Sequence, residues 1–138
     1  MHRFLLAYDG SESARQAAVT ATDMAKKYRA AVTVISVGEF GAAEEARADA
    51  ERRARRLAEE GAAILQREGV AATTTVRLGD PASEILRAVI EEGYHLIITG
   101  HRGMTPSRIW VLGSVALKVI NYASCPVLVV RGGGLTGS

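Results

Sequence analysis

The sequence predicts an α/β protein with a single doubly wound five-stranded parallel sheet and helices on both of its faces. The first observation is composition, because 138 residues with 48% hydrophobic but only 5% aromatic side chains indicate one domain with an aliphatic core. The second is an alternation of short apolar runs with amphipathic segments, repeated along the chain with the last helix missing. That alternation is typical of a parallel sheet covered by its crossover helices.

The first strand is predicted at Phe4–Tyr8, a nearly continuous apolar run of the kind that is buried on both faces of a sheet. The turn Asp9–Ser11 ends the strand with residues that favour turns and helix N-caps. A helix is then predicted up to Arg29, because apolar residues recur at helical spacing. Its predicted buried stripe is Ala14, Ala17, Ala18, Ala21, Met24, Ala25 and Tyr28.

The middle of the chain repeats this pattern with a longer helix. Ala31–Val37 is rich in β-branched residues and is predicted as a central strand. The helix predicted at Glu44–Glu68 carries arginines interleaved with acids, which indicates an ion-paired, solvated face. No nucleic-acid partner is expected, because nucleic-acid binding needs a concentrated basic surface and the net charge of the chain is only +2. Ala71–Leu78 is a third strand whose mixed polarity predicts an edge position.

The last part of the chain completes the alternation. Its predicted elements are a helix opened by Asp80-Pro81 and ended at Gly93, a strand at Leu96–Thr99, a helix from Ser114 to about Ala123, and a strand at Pro126–Arg131. The first of these helices is predicted to bury Ile85, Leu86, Val89 and Ile90. Residues 132–138 are predicted to form a flexible Gly-rich tail after a single domain at residues 1–131.

The order of these elements predicts where a ligand site lies. Right-handed crossovers favour the flavodoxin-like, Rossmann-like strand order 3-2-1-4-5, which reverses between strands 1 and 4. Ligands of such sheets bind beyond the carboxyl ends of the strands at this switch point. Those ends are Tyr8–Gly10 and Thr99–Gly100, so the topology brings Asp9 close to a glycine-containing loop.

The stretch Gly100–Ser114 carries the strongest functional signal. Two residues separate Gly100 from Gly103, and nine more lead to Gly113-Ser114 at a predicted helix start. Glycines permit close backbone approach, and free N–H groups at a helix start favour an anion. The spacing matches neither a Walker A loop nor the dinucleotide fingerprint Gly-x-Gly-x-x-Gly. A structural alternative stays open, in which the glycines only shape a turn and Ser114 only caps its helix.

The chain resembles the ATP-binding branch of the universal stress protein family along nearly its whole length. The opening strand with its Asp9-Gly10-Ser11 turn resembles the start of that family. The spacing from Gly100-x-x-Gly103 to Gly113-Ser114 is similar to the family's ATP-binding signature, and Ser124-Cys125-Pro126 before an apolar strand resembles its closing segment. One departure is Ala116, which stands where some ATP-binding relatives have a hydroxyl residue.

The resemblance implies ATP bound across the switch point, with Mg²⁺ only as a companion of the ATP phosphates. The implied contacts are Ala7 and Asp9 with adenosine, the Val37 backbone with adenine, Gly100, His101, Arg102, Gly103, Met104, Thr105 and Pro106 with ribose and phosphates, and Gly113, Ser114 and Val115 with phosphates. Asp9 has an alternative role as the cap of the first helix. Phosphate pairing is favoured for Arg102, whereas solvation is the alternative for both Arg102 and Arg108.

Binding without turnover is the favoured function, because the loop offers elements that hold phosphates but no evident general base. The expected protein is an ATP-binding stress or signalling module that is not an enzyme beyond very slow hydrolysis and that acts on an unknown protein partner. Two alternatives stay open. One is a true ATP hydrolase or phosphotransferase, and the other is a nucleotide-free adaptor of the same fold.

Cysteine content, apolar segments and the last strand predict compartment and assembly. The single Cys125 cannot form an internal disulfide and is predicted as a core thiol, which fits a cytoplasmic protein. Neither a signal peptide nor a membrane-spanning run is recognised, so no membrane is expected as a partner. Histidines at 2, 95 and 101 lack metal-ligand spacing, so no protein metal site is predicted. The apolar edge strand Val127–Val130 predicts a homodimer through pairing with a second copy, as the resemblance also implies.

Overall fold

The computed structural model describes residues 2–39, 43–102 and 112–132, which form a five-stranded parallel sheet between two layers of helices. Its elements are β1 Arg3–Ala7, α1 Glu12–Tyr28, β2 Ala31–Gly38, α2 Glu44–Gln66, β3 Ala72–Leu78, α3 Pro81–Glu92, β4 Leu96–Gly100, α4 Ser114–Tyr122 and β5 Val127–Val130. The strand order is β3-β2-β1-β4-β5, which confirms the predicted topology and the edge position of β3.

The register of the central strands sets the position of the candidate site. Leu6 of β1 is aligned with Val34 of β2 and with Ile98 of β4 in parallel pairing. The carboxyl ends of these three strands therefore lie at one edge of the sheet. The reversal of strand order between β1 and β4 opens a crevice at that edge.

Two apolar layers, one on each face of the sheet, hold the helices in place. Leu6 belongs to the layer under α1 and α2, whereas its neighbour Leu5 belongs to the layer under α3 and α4, and both are fully buried. This alternation explains why β1 is apolar throughout. The five predicted stripe alanines of α1, from Ala14 to Ala25, are all buried, and their small side chains let the helix lie close to the sheet.

Two residues that the sequence predicts as buried are exposed. Tyr28 is 47% exposed because it is the last residue of α1, where its ring meets His2 edge-on. Ile90 is 77% exposed because the buried stripe of α3 runs through Ala82, Ile85 and Val89. The next position along a helix is rotated by about 100° from that stripe and points outward.

Two boundaries differ between the sequence prediction and the structure. The long helix α2 stops at Gln66, two residues before the predicted end, and its polar face carries the i,i+4 ion pair Arg55–Glu51. The flexible tail is predicted to begin at Gly132, but this residue donates its N–H to Nδ1 of His101 and packs against α1. Within the part of the chain described here, no helix is long and apolar enough to cross a bilayer.

Candidate functional site

A cavity of about 670 Å³ opens at the carboxyl edge of the sheet, in the crevice between β1 and β4. This volume falls within the range of small-molecule sites. The strand ends contribute Ala7, Tyr8, Asp9, Ile35, Val37, Glu39, Thr99, Gly100 and Arg102, and the helices with their leading residues contribute Ser11, Ala14, Asp80, Pro81, Ile85, Leu112, Gly113, Ser114, Val115 and Ala116.

The wall brings together most of the residues that the sequence singles out for a ligand. These residues are Ala7, Asp9, Val37, Gly100, Arg102, Gly113, Ser114 and Val115. Gly103, Met104, Thr105 and Pro106 lie outside the described residues, as does Arg108. The cavity wall therefore includes both chain segments that the topology predicts to meet, one around Asp9 and the other formed by Gly100, Arg102, Gly113 and Ser114.

The side of the cavity next to β2 is apolar. Ile35 and Ile85 are buried, and Ala7 and Val37 are half-buried beside them. An apolar wall of this size accommodates a flat ring system, with orientation left to a few polar groups at its margin. Two exposed carboxylates, Asp9 and Glu39, stand at that margin.

Three helix N-termini converge on the cavity, and two of them are already capped. Oγ of Ser11 accepts the Ala14 N–H of α1 at 3.1 Å, and Oδ2 of Asp80 accepts the Ser83 N–H of α3 at 3.0 Å. The cap of α4 is Gly113, which has no side chain and forms no side-chain cap hydrogen bond with the described residues. No side chain of the described residues therefore caps the first-turn backbone N–H groups of α4, and such groups suit an external acceptor.

These caps correct two of the structural alternatives raised by the sequence. Asp9 does not cap α1, because its Oδ1 accepts the Ser11 N–H at 2.9 Å in the preceding turn while Ser11 is the cap. Ser114 does not cap α4, because it is the first helical residue after Gly113. Both side chains therefore lie on the cavity wall without the capping role.

Hydrogen bonds join the two described ends of the Gly100–Ser114 segment to each other and to α1. Gly113 donates its N–H to the carbonyl of His101 at 2.7 Å, and Oγ of Ser13 donates to the carbonyl of Arg102 at 2.5 Å. A Cβ on Gly100 would lie 2.8 Å from the Ser13 carbonyl carbon, so α1 packs directly on this glycine. The position of the α4 N-terminus is thus tied to α1 and to the end of β4.

The imidazole of His101 lies away from the cavity wall. The resemblance implies a contact with ribose or phosphate, but the imidazole is only 6% exposed and does not belong to the cavity wall. Its Nδ1 accepts the Gly132 N–H at 3.3 Å, and its backbone N–H donates to the Val130 carbonyl at 2.8 Å. The side chain packs toward the end of β5. The residue is linked to the cavity wall by its backbone carbonyl, which accepts the N–H of Gly113.

Acid is expected to destabilise the protein partly through His101. Burial, reinforced by the positive charges of Arg102 and Arg131, lowers the pKa of this imidazole, and the Val130 carbonyl only partly opposes that shift. The unfolded chain then binds the proton at a higher pH than the folded chain, so the free energy of unfolding falls as the pH drops below about 6.5. Urea unfolding at about pH 7 and about pH 5 should show a smaller loss for His101→Asn than for the unmodified chain. Equal losses would contradict this assignment.

The wall also contains residues that the sequence reading missed. Glu39 and Asp80 follow the carboxyl ends of β2 and β3, and Tyr8 ends the first predicted strand. Ligands of such sheets bind beyond the carboxyl ends of the strands, and this rule was applied only to the two strands at the switch point. Applied to every strand, it would also have indicated Glu39 and Asp80. The Tyr8 hydroxyl donates to Glu60 of α2, and burial together with this carboxylate raises the pKa of Tyr8, so the ring is a fixed and neutral part of the wall.

Neither the thiol nor the histidines form a reactive or metal-binding cluster in the described part of the chain. Burial raises the pKa of the Cys125 thiol, which lowers its reactivity, and the residue packs against the layer under α3 and α4. His2 and His95 have ring centroids 5.5 Å apart, but Nδ1 of His95 is occupied by the Arg3 N–H. No group of three or more candidate metal ligands occurs among residues 2–39, 43–102 and 112–132.

Comparisons of the whole chain with solved structures agree with this architecture. The structure of the hypothetical protein MJ0577 matches with a TM-score of 0.84 at 25% identity, covering 96% of this chain and 97% of that one. A universal stress protein family protein from Arabidopsis thaliana with AMP bound matches with a TM-score of 0.77 at 17% identity, over 97% and 94% of the two chains. A universal stress protein from Archaeoglobus fulgidus in complex with dAMP matches with a TM-score of 0.74 at 21% identity, over 94% and 98%.

Sequence comparisons give the family. The universal stress protein family model matches residues 1–131. The universal stress protein YxiE of Bacillus subtilis is 30% identical, with 94% of this chain and 99% of that protein covered. A universal stress protein of Thermus aquaticus is 38% identical, with 92% and 96% covered. The chain therefore belongs to the universal stress protein family.

Proposed function

We propose that this universal stress protein binds an adenine nucleotide, with ATP as the physiological ligand, and acts as a nucleotide-dependent module in a stress response. The observation that carries the proposal is the uncapped N-terminus of α4, which faces a cavity with an apolar wall at the switch point of the sheet. Structures of similar fold that hold AMP and dAMP support an adenine nucleotide as the class of ligand.

The ligand would lie across the crevice with its base on the β2 side. Ala7 and Val37 offer the apolar surface for adenine, and Asp9 stands where it can accept hydrogen bonds from the adenosine. The phosphates would meet the first-turn N–H groups of α4 and the guanidinium of Arg102. Mg²⁺ would enter as a companion of the ATP phosphates rather than on a site of its own.

The contacts of Asp9 and Asp80, two of the three carboxylates on the wall, favour holding the nucleotide over consuming it. Asp9 accepts a hydrogen bond from Ser11, and Asp80 accepts one from Ser83 while facing the ammonium of Lys118. The Ser83 hydrogen bonds and the Lys118 ammonium hold the pKa of the Asp80 carboxyl below its usual range, which makes it a weaker base. The Asp9 carboxylate is engaged in the turn that precedes α1. We therefore propose a bound nucleotide with little or no turnover.

Two measurements test this function. The protein is unfolded to release and identify any nucleotide carried through purification, and the refolded, nucleotide-free protein is titrated with ATP in a calorimeter. Binding of ATP is expected, and its absence would favour the adaptor of the same fold. Single-turnover hydrolysis of labelled ATP faster than about 1 per minute, near the low end of enzyme rates, would instead favour an ATP hydrolase or phosphotransferase.

We also propose a homodimer that pairs through β5. This strand is an outer strand of the sheet, and all four of its residues are half-buried. The neighbouring face of α4 exposes Leu117 (48%) and Ile120 (42%), which extends the apolar surface. Light scattering at micromolar concentration should give twice the monomer mass of 14.7 kDa, and a monomeric mass would contradict the proposal.

A further inference from the structure

An ion pair links α3 and α4 at the edge of the cavity. Nζ of Lys118 lies 3.2 Å from Oδ2 of Asp80 and 2.8 Å from Oγ of Ser83. Asp80 is the N-cap of α3 and part of the cavity wall, and Lys118 lies one turn after Ser114, which is also part of the wall. Side chains on a helix lean toward its N-terminus, so the Lys118 ammonium lies at the end of α4 that offers free N–H groups.

The pair contributes little to holding the two helices together. Both side chains are about half exposed, at 45% for Lys118 and 59% for Asp80, and ion pairs in such positions contribute little to stability. The helices already meet through buried Ala82, Ile85 and Val119. A purely structural role therefore leaves the placement of a lysine at the cavity edge unexplained.

The two residues of the pair are expected to act in opposite ways on an anion that enters the cavity. Asp80 repels a polyphosphate bound at the N-terminus of α4, whereas Lys118 attracts it. The Asp80 carboxylate and the ligand's phosphates are then competitors for the same ammonium group. The Lys118 side chain has a flexible four-carbon stem and an ammonium group with three N–H donors. It can therefore move from one oxyanion to another.

We propose that Lys118 binds the phosphate chain of the nucleotide. Asp80 pairs with Lys118 when no nucleotide is bound and competes with the phosphates for it. This inference rests on the proposed nucleotide site and adds a specificity-determining pair to it. Its contribution grows with ligand charge, so ATP gains most from Lys118, AMP gains less and adenosine gains nothing.

Opposite effects of two single substitutions distinguish this role from a structural tie. Lys118→Met removes the charge and keeps the length of the side chain, and it is expected to weaken ATP binding roughly three- to ten-fold. Asp80→Asn keeps an equally good N-cap, removes the competing charge and is expected to strengthen ATP binding roughly two- to five-fold. A structural tie would make both substitutions change affinity in the same direction.

The matched control is Lys26→Met, which breaks the similarly exposed pair (2.9 Å) between Lys26 of α1 and Glu68 after α2 and is expected to leave all affinities unchanged. Calorimetric dissociation constants for ATP, AMP and adenosine are measured for the unmodified chain and the three variants. The proposal is supported by opposite shifts for ATP that shrink for AMP and vanish for adenosine. Shifts of the same sign, equal shifts for adenosine, or none overturn it while the proposed function stands. An unmodified chain that binds none of the ligands overturns the proposed function and this inference together.

Discussion

Replacing Gly113 by aspartate is expected to stabilise the protein and at the same time to weaken nucleotide binding strongly. Gly113 is the N-cap of α4, with φ −65° and ψ 156°, a conformation that aspartate adopts without strain. An aspartate carboxylate there can accept a first-turn N–H, which is worth a few tenths of a kcal/mol over glycine. The same carboxylate would occupy the place of a phosphate and repel what remains of the ligand's charge.

The loss of affinity for ATP should reach roughly 100-fold, because a charge-assisted hydrogen bond is lost and a like-charge repulsion is gained. Calorimetry gives the affinity, and urea unfolding gives the stability. Gly113→Asn is the matched control, since it caps the helix with a neutral group and should lose markedly less affinity at similar stability. If Gly113→Asp bound ATP as well as the unmodified chain does, the phosphates would not lie at the start of α4.

A methyl group at position 100 is expected to lower the free energy of unfolding by about 2 kcal/mol, within the range typical of overpacked cores. The Cβ of Gly100→Ala would approach Oγ of Ser13, and it would lie 2.8 Å from the Ser13 carbonyl carbon and 2.9 Å from its Cβ. Ser13 is buried in the first turn of α1, where two of these three atoms cannot be moved by a rotamer change. Helix and strand must therefore separate.

A double-mutant cycle with Ser13→Ala tests this cause. Removing Oγ eliminates the closest contact with the added methyl group, so the double variant should be more stable than the sum of the two single effects predicts. Urea unfolding without any nucleotide is the measurement, because the effect concerns packing and not the ligand. Additive effects, or a Gly100→Ala protein as stable as the unmodified chain, would show that α1 does not approach β4 as closely as described.

The two glycines have different reasons to be glycine, although the sequence places both in one phosphate-binding pattern. Gly113 leaves the helix start without a side-chain cap, as the proposed phosphate site requires, whereas Gly100 allows α1 to pack against the end of β4. The second reason is indirect for the site, since the Ser13 contact also holds the carbonyl of Arg102. A sequence motif thus combines residues that would meet the ligand with residues that position them.

Local pattern determined the fold of this protein and the location of its candidate site. The apolar runs and helical spacings gave every strand and helix, and the alternation gave the strand order, because strand and helix periods differ and crossovers have one hand. The switch point then followed, and with it the meeting of Asp9 with Gly100 and Gly113 on one cavity wall. These conclusions need no knowledge of which side chains touch.

Tertiary structure alone decided which side chains do what at that wall. It assigned the cap of α1 to Ser11 rather than Asp9, turned the side chain of His101 away from the cavity, and brought Lys118 to Asp80 across 38 positions of sequence. Each of these outcomes depends on the packing of one helix against a strand or another helix. Periodicity fixes which face of an element is apolar, but the partner that a polar atom finds is set by distances between elements that are remote in the chain.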